Sequence, residues 1–103
     1  MKYQLVIQIR GDSLSDYDEM VELEDELITE LGDSAEVDGH DVGSGETNIF
    51  ILTNDPLTSL RHSLPLLERR RALVNVRAAY RLVEGERYTV VWPEGSTEDF
   101  RIV

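Results

Sequence analysis

Ala35-Glu36-Val37-Asp38-Gly39-His40-Asp41-Val42-Gly43-Ser44-Gly45-Glu46-Thr47-Asn48-Ile49-Phe50-Ile51-Leu52-Thr53 is the stretch on which the fold turns. Ala35 to Val42 and Thr47 to Thr53 read as two strands, and Gly43-Ser44-Gly45-Glu46 between them has the composition of a hairpin turn. Ile49-Phe50-Ile51-Leu52 is apolar on both faces, which predicts a strand covered on both sides.

Helices flank the hairpin. Upstream, Tyr17, Met20, Val21, Leu27, Ile28 and Leu31 recur at three- and four-residue spacing, with Leu23 widening the stripe. Ser15 and Asp18 suit the start of that helix, and Gly32 suits its exit. Downstream, Asp55 before Pro56 is a cap followed by a first-position proline. Leu57, Leu60, Leu64 and Leu67 continue it as a helix. Pro65 interrupts that pattern and predicts a kink or break near His62, because proline removes a backbone donor. Outside the helices, Tyr3, Leu5, Ile7 and Ile9 alternate with Gln4, Val6 and Gln8 as a strand with one buried face. Val74, Val76, Ala78, Tyr80 and Leu82 repeat the pattern, and Arg87 to Trp92 forms a last strand closed by Pro93. Residues 96–103 read as a tail with a strand-like end from Phe100 to Val103.

The order is therefore strand, helix, strand, strand, helix, strand, strand in one domain spanning residues 1–103. That order resembles the ferredoxin-like fold, an α+β two-layer plait (βαββαβ) with an antiparallel sheet and both helices on one face. Right-handed crossovers would set the first strand between the third and fourth, and the extra C-terminal strand would become a new edge beside the fourth. Val37-Asp38-Gly39-His40-Asp41-Val42-Gly43-Ser44-Gly45-Glu46 and Tyr88-Thr89-Val90-Val91-Trp92-Pro93 resemble segments of small bacterial stand-alone proteins of unassigned function. The resemblance carries no catalytic motif, and a fold so widely reused says little about activity.

Composition narrows the classes. Leu, Ile, Val and Phe make up 31 of 103 residues, above the roughly 20% below which chains stay disordered. There is no cysteine, so disulfides, thiol catalysis and thiolate metal sites are excluded. No apolar run approaches the roughly 18 residues of a membrane helix, and the alternating start is unlike a signal peptide. The expectation is a soluble cytoplasmic domain. Its net charge is −11, and the charge is polarised: residues 11–60 hold 15 acids and no Lys or Arg, the rest 10 basic and 6 acidic residues. Nucleic-acid binding needs a positive footprint, and this balance opposes it. An acid excess serves solubility, or it forms a surface for a basic protein, as in an immunity-type inhibitor of a toxin or nuclease.

Candidate chemistry is sparse. Asp38, His40, Asp41 and Glu46 sit among Gly39, Gly43 and Gly45, but only one histidine is local and adjacent strand residues point to opposite faces, so no metal site is expected. Gly43-Ser44-Gly45 lacks the third glycine and the helix of a dinucleotide loop. No serine sits in a nucleophile elbow, and no catalytic set or cofactor is implied. Arg69-Arg70-Arg71 suits the carbonyl end of the second helix, where it would be solvated or hold an anion. Tyr88, Val90 and Trp92 share one side of the last strand in a regular alternation, as core or as an edge interface.

With Ser44-Gly45 as the turn, Gly43 faces Glu46, Val37 meets Leu52, and Phe50 lies over Gly39 on the helix side. The open face would then carry Glu36, Asp38 and His40, next Ile49 and Ile51, then Val6, then Arg77, Ala79 and Arg81. Such an acidic, apolar and basic face is self-complementary under a two-fold axis. The leading expectation is a non-enzymatic binding or regulatory domain that forms a homodimer, through this face or through the last strand. The alternatives are a small enzyme or metabolite pocket, with His40 as proton carrier and Arg77 and Arg81 holding an anion, and the inhibitor of a basic protein. A one-residue slip would exchange the two faces.

Overall fold

Alternation builds the first strand, β1 (Tyr3–Arg10), in the computed structural model, which describes residues 1–11, 17–43, 45–70, 72–95 and 100. Leu5, Ile7 and Ile9 point to one side, where they meet Leu23, Leu27 and Leu31 of α1 (Tyr17–Leu31) and Leu60, Leu66 and Leu67 of α2 (Pro56–Arg69). Both helices therefore cover the same face. Each such side chain taken from water contributes about 1.5–3 kcal/mol before chain entropy opposes it. Gly32, at φ +55°, lets the chain leave α1 in a left-handed conformation, and a short 3-10 turn, Gly32–Ser34, leads into the next strand.

The remaining strands are β2 (Ala35–Gly43), β3 (Glu46–Thr53), β4 (Val76–Leu82) and β5 (Thr89–Trp92). They form one antiparallel five-stranded sheet in the order β2-β3-β1-β4-β5. The protein is thus an α+β chain with two helices on one face of an open antiparallel sheet. β1 lies between β3 and β4, and β5 forms an outer edge beside β4. A 3-10 turn, Leu73–Asn75, holds the residues before β4, so that strand begins at Val76 rather than Val74; β5 likewise begins at Thr89 rather than Arg87.

The hairpin register differs from the expected one, and the reason is local. Gly43 does face Glu46, and the expected pairing holds back to His40 opposite Ile49. It then shifts by one residue: Val37 faces Ile51, not Leu52, and Glu36 faces Leu52. Gly39, at φ +112°, lies in this β-bulge, so Phe50 does not sit over it in a regular pair. Ile49 and Ile51 belong to the core beneath the helices and are 0% exposed, while Phe50 faces the open side. A second shift, between Ala78 and Ala79, separates Trp92 from Val90: Trp92 packs toward the helix-side core, Tyr88 and Val90 toward the open side.

α2 runs unbroken from Pro56 to Arg69, so of the kink or break expected near His62 the break does not occur. The ring is exposed, and the apolar side of the helix is held by Leu60, Leu66 and Leu67 together with buried Ser59 and Ser63. Ser63 donates to the Ser59 carbonyl at 2.8 Å, and the Ser59 and Thr53 hydroxyls lie 2.8 Å apart. Both serines are thereby satisfied inside the core. The Ser15 cap, Arg71 and the strand-like end at 101–103 lie outside the described residues.

Candidate functional site

The open face of the sheet is built on β1 and its register partners. Val6 is flanked by Phe50 and Ala79, Gln8 by Asn48 and Arg77, and Gln4 by Leu52 and Arg81. Its centre is not bare. Phe100 comes back over the sheet and packs with Val6 and Ala79, and Phe50, Tyr88 and Val90 complete this second, smaller core. The Phe100 and Tyr88 rings are 5.1 Å apart, and the Arg77 guanidinium lies 5.5 Å from the Phe100 ring centre. Val6 and Ala79 are fully buried as a result. Beside them Gln8 Nε2 donates to Asn48 Oδ1 at 3.0 Å, both residues being buried.

The arginines of β4 are used within the chain. Arg81 Nε donates to Gln4 Oε1 at 3.1 Å, and its Nη1 donates to the carbonyls of Leu82, Val83 and Gly85 at 2.8 to 3.1 Å. This fork ties the turn after β4 to the sheet. Arg70, half-buried at the end of α2, donates to Glu26 of α1 and lies 3.6 Å from Glu22, while Arg69 lies 3.9 Å from Glu26. The two described members of the arginine run thus join the helices. Arg10 lies 3.8 Å from Glu46.

His40 is on the helix side, because it pairs with Ile49, which lies beneath the helices: its Nδ1 lies 2.8 Å from Glu24 Oε1 on α1. Arg77 and Arg81 are on the opposite face, so the structure does not assemble a pocket from His40 and these two arginines. Nor are the apolar residues expected at the centre of a face-to-face dimer on the surface: Ile49 and Ile51 lie under the helices, and Val6 lies under Phe100. Glu36 and Asp41 do lie on the open face, opposite Leu52 and Asn48, and Asp38 is exposed at the bulge.

What remains outside is an acidic wall. Glu36, Asp38 and Asp41 of β2 form it along the sheet edge, all exposed, while Asp18 and Asp25 of α1 are exposed on the helix layer. Val42, on the helix side of the same edge strand, is 62% exposed. Among the described residues, no three His, Asp or Glu side chains converge as metal ligands, and no helix is long and apolar enough to cross a membrane. Sequence reasoning missed Glu24 as the partner of His40 and Phe100 as the cover of the sheet. The signal for the second was an isolated aromatic within an otherwise polar stretch, Ser96-Thr97-Glu98-Asp99-Phe100-Arg101. No protein-family model matches the chain, and no curated protein or solved structure matches it either.

Proposed function

We propose that this chain is a non-enzymatic binding domain that presents its acidic wall to a basic protein. The observation that carries this is the unequal use of charge. Arg10, Arg69, Arg70, Arg77 and Arg81 are all engaged with their own chain, Arg69 and Arg70 by Glu22 and Glu26 of α1, whereas Glu36, Asp38 and Asp41 of β2 face outward. A one-signed surface speeds the approach of an oppositely charged partner and repels like-charged ones. For the fold we propose a ferredoxin-like plait, supported by the β2-β3-β1-β4 segment of the sheet order, to which β5 is added.

The test compares affinity capture by the native chain and by the variant with Glu36→Lys and Asp41→Lys. A defined basic protein retained by the first and lost from the second is the expected result. Recovery of the same proteins by both sinks the reading.

Self-association is the second reading, and the opposite edge favours it. Thr89-Val90-Val91-Trp92 carries no charge, unlike β2, and an uncharged edge is the kind that pairs with another strand. Joining two β5 edges across a two-fold axis would give a homodimer with a continuous sheet. Light scattering after size exclusion decides it: a dimer at tens of micromolar that Val91→Lys converts to a folded monomer supports the reading, and a native monomer removes it.

A further inference from the structure

We infer that the outer edge of β2 accepts an extended, basic segment of a partner protein as a sixth strand. This rests on the acidic-wall reading and states how that surface is used. The backbone carries the inference. β2 ends the sheet, bonded to β3 on one side, and among the described residues no backbone hydrogen bond reaches its other side. An edge strand holds a row of N–H and C=O groups that another extended chain can satisfy, which is the basis of recognition by strand addition. At nine residues β2 is the longer of the two edges, against four for β5.

The side chains select the occupant. A second copy is disfavoured, because pairing two β2 edges sets Glu36, Asp38 and Asp41 against their own kind, and like charges across a strand pair destabilise it. The same carboxylates suit arginine or lysine on an added strand, whose Cβ atoms would stand about 4.5–5.5 Å away. On the other face the edge is not acidic throughout. Val42 stands 62% exposed there, beside His40, which is already paired with Glu24. The fitting segment therefore alternates: basic residues on the side of Glu36 and Asp41, apolar ones on the side of Val42.

A short synthetic peptide alternating arginine with valine tests this at low salt, together with two isomers N-methylated on one or the other alternate set of backbone amides. All three carry the same charge. The expected result is binding of the unmodified peptide, a loss of about tenfold or more for one methylated isomer, and little loss for the other. Amides within residues 35–43 should gain protection from hydrogen exchange when the unmodified peptide is bound. The variant with Glu36→Lys and Asp41→Lys, checked for its fold by circular dichroism, should lose affinity by about tenfold or more. If that variant does not fold, raising the salt concentration on the native chain reads the same charge dependence. Equal binding of all three peptides with no new protection overturns strand addition and leaves the acidic wall standing. No binding of any peptide overturns both.

Discussion

Asp55 caps α2 with both carboxylate oxygens: the Thr58 backbone N–H donates to Oδ1 at 3.1 Å and the Thr58 hydroxyl to Oδ2 at 2.8 Å. These bonds, the backbone one foremost, hold its carboxyl below the ordinary value of 3.8. A group whose folded pKa is depressed stabilises fully above its unfolded pKa and loses that contribution as pH falls through the folded value. Asp55→Ala should therefore lower the Tm at neutral pH, and the gap from the native chain should close as pH drops below about 4; thermal melts over a pH series check this. Gly39 makes a different case. Nothing lies within 4 Å of a Cβ built there, so the obstacle to a side chain is the backbone at φ +112°, not a clash. Gly39→Ala should cost about 1–3 kcal/mol in urea denaturation. Gly43→Ala, in the same strand without positive φ, should change stability by less than about 0.5 kcal/mol. The turn at Gly43 was legible because its residues are turn residues. The bulge at Gly39 was not, since one glycine between Asp38 and His40 does not announce an extra residue, and apolar residues on both faces of β3 fitted either register.

At the scale of elements, the strands and helices followed from periodicity, and what the sequence left open was how charge joins them. Eight acids between Asp16 and Glu30 had no basic neighbour in the chain, yet Arg70 comes from α2 to meet two of them. Its side chain is 17% exposed, so Arg70→Met should keep much of the packing and lose the charge pairing. The expected loss is about 1 kcal/mol at low ionic strength and less at high salt, measured by denaturant midpoint. Pro65 presents the opposite situation. The helix continues through it, but the ring leaves the Arg61 carbonyl without its usual donor. Because Pro65 is exposed, Pro65→Ala should stabilise the chain by about 1–3 kcal/mol, read from the same unfolding curves. An unchanged or lowered midpoint would mean that the proline shapes the path of α2 against the sheet.

On the scale of the whole molecule, two cores of unequal size share one sheet, and in the smaller Phe100, with Phe50, Tyr88 and Val90 around it, covers Val6 and Ala79. Phe100→Ala should cost about 2–4 kcal/mol and increase the binding of a fluorescent apolar dye, because Val6 and Ala79 lose their cover. A variant with native stability and no added dye binding would show that Phe100 contributes little to holding this face closed. No local pattern linked Phe100 to a strand more than ninety positions earlier, so the closed face had to be seen in three dimensions. The bulge in β2 carries one more consequence. It acts on that strand as a frameshift acts on a message: Glu36 and Asp41 lie on the same face although they are five positions apart, an odd interval that strict alternation would place on opposite faces. β3 meets both halves by setting one residue opposite two at the bulge, so its own even interval from Asn48 to Leu52 spans the odd one in β2. A visiting strand that engages the full edge must make the same concession, and then a strictly alternating sequence meets Glu36 and Asp41 on one side.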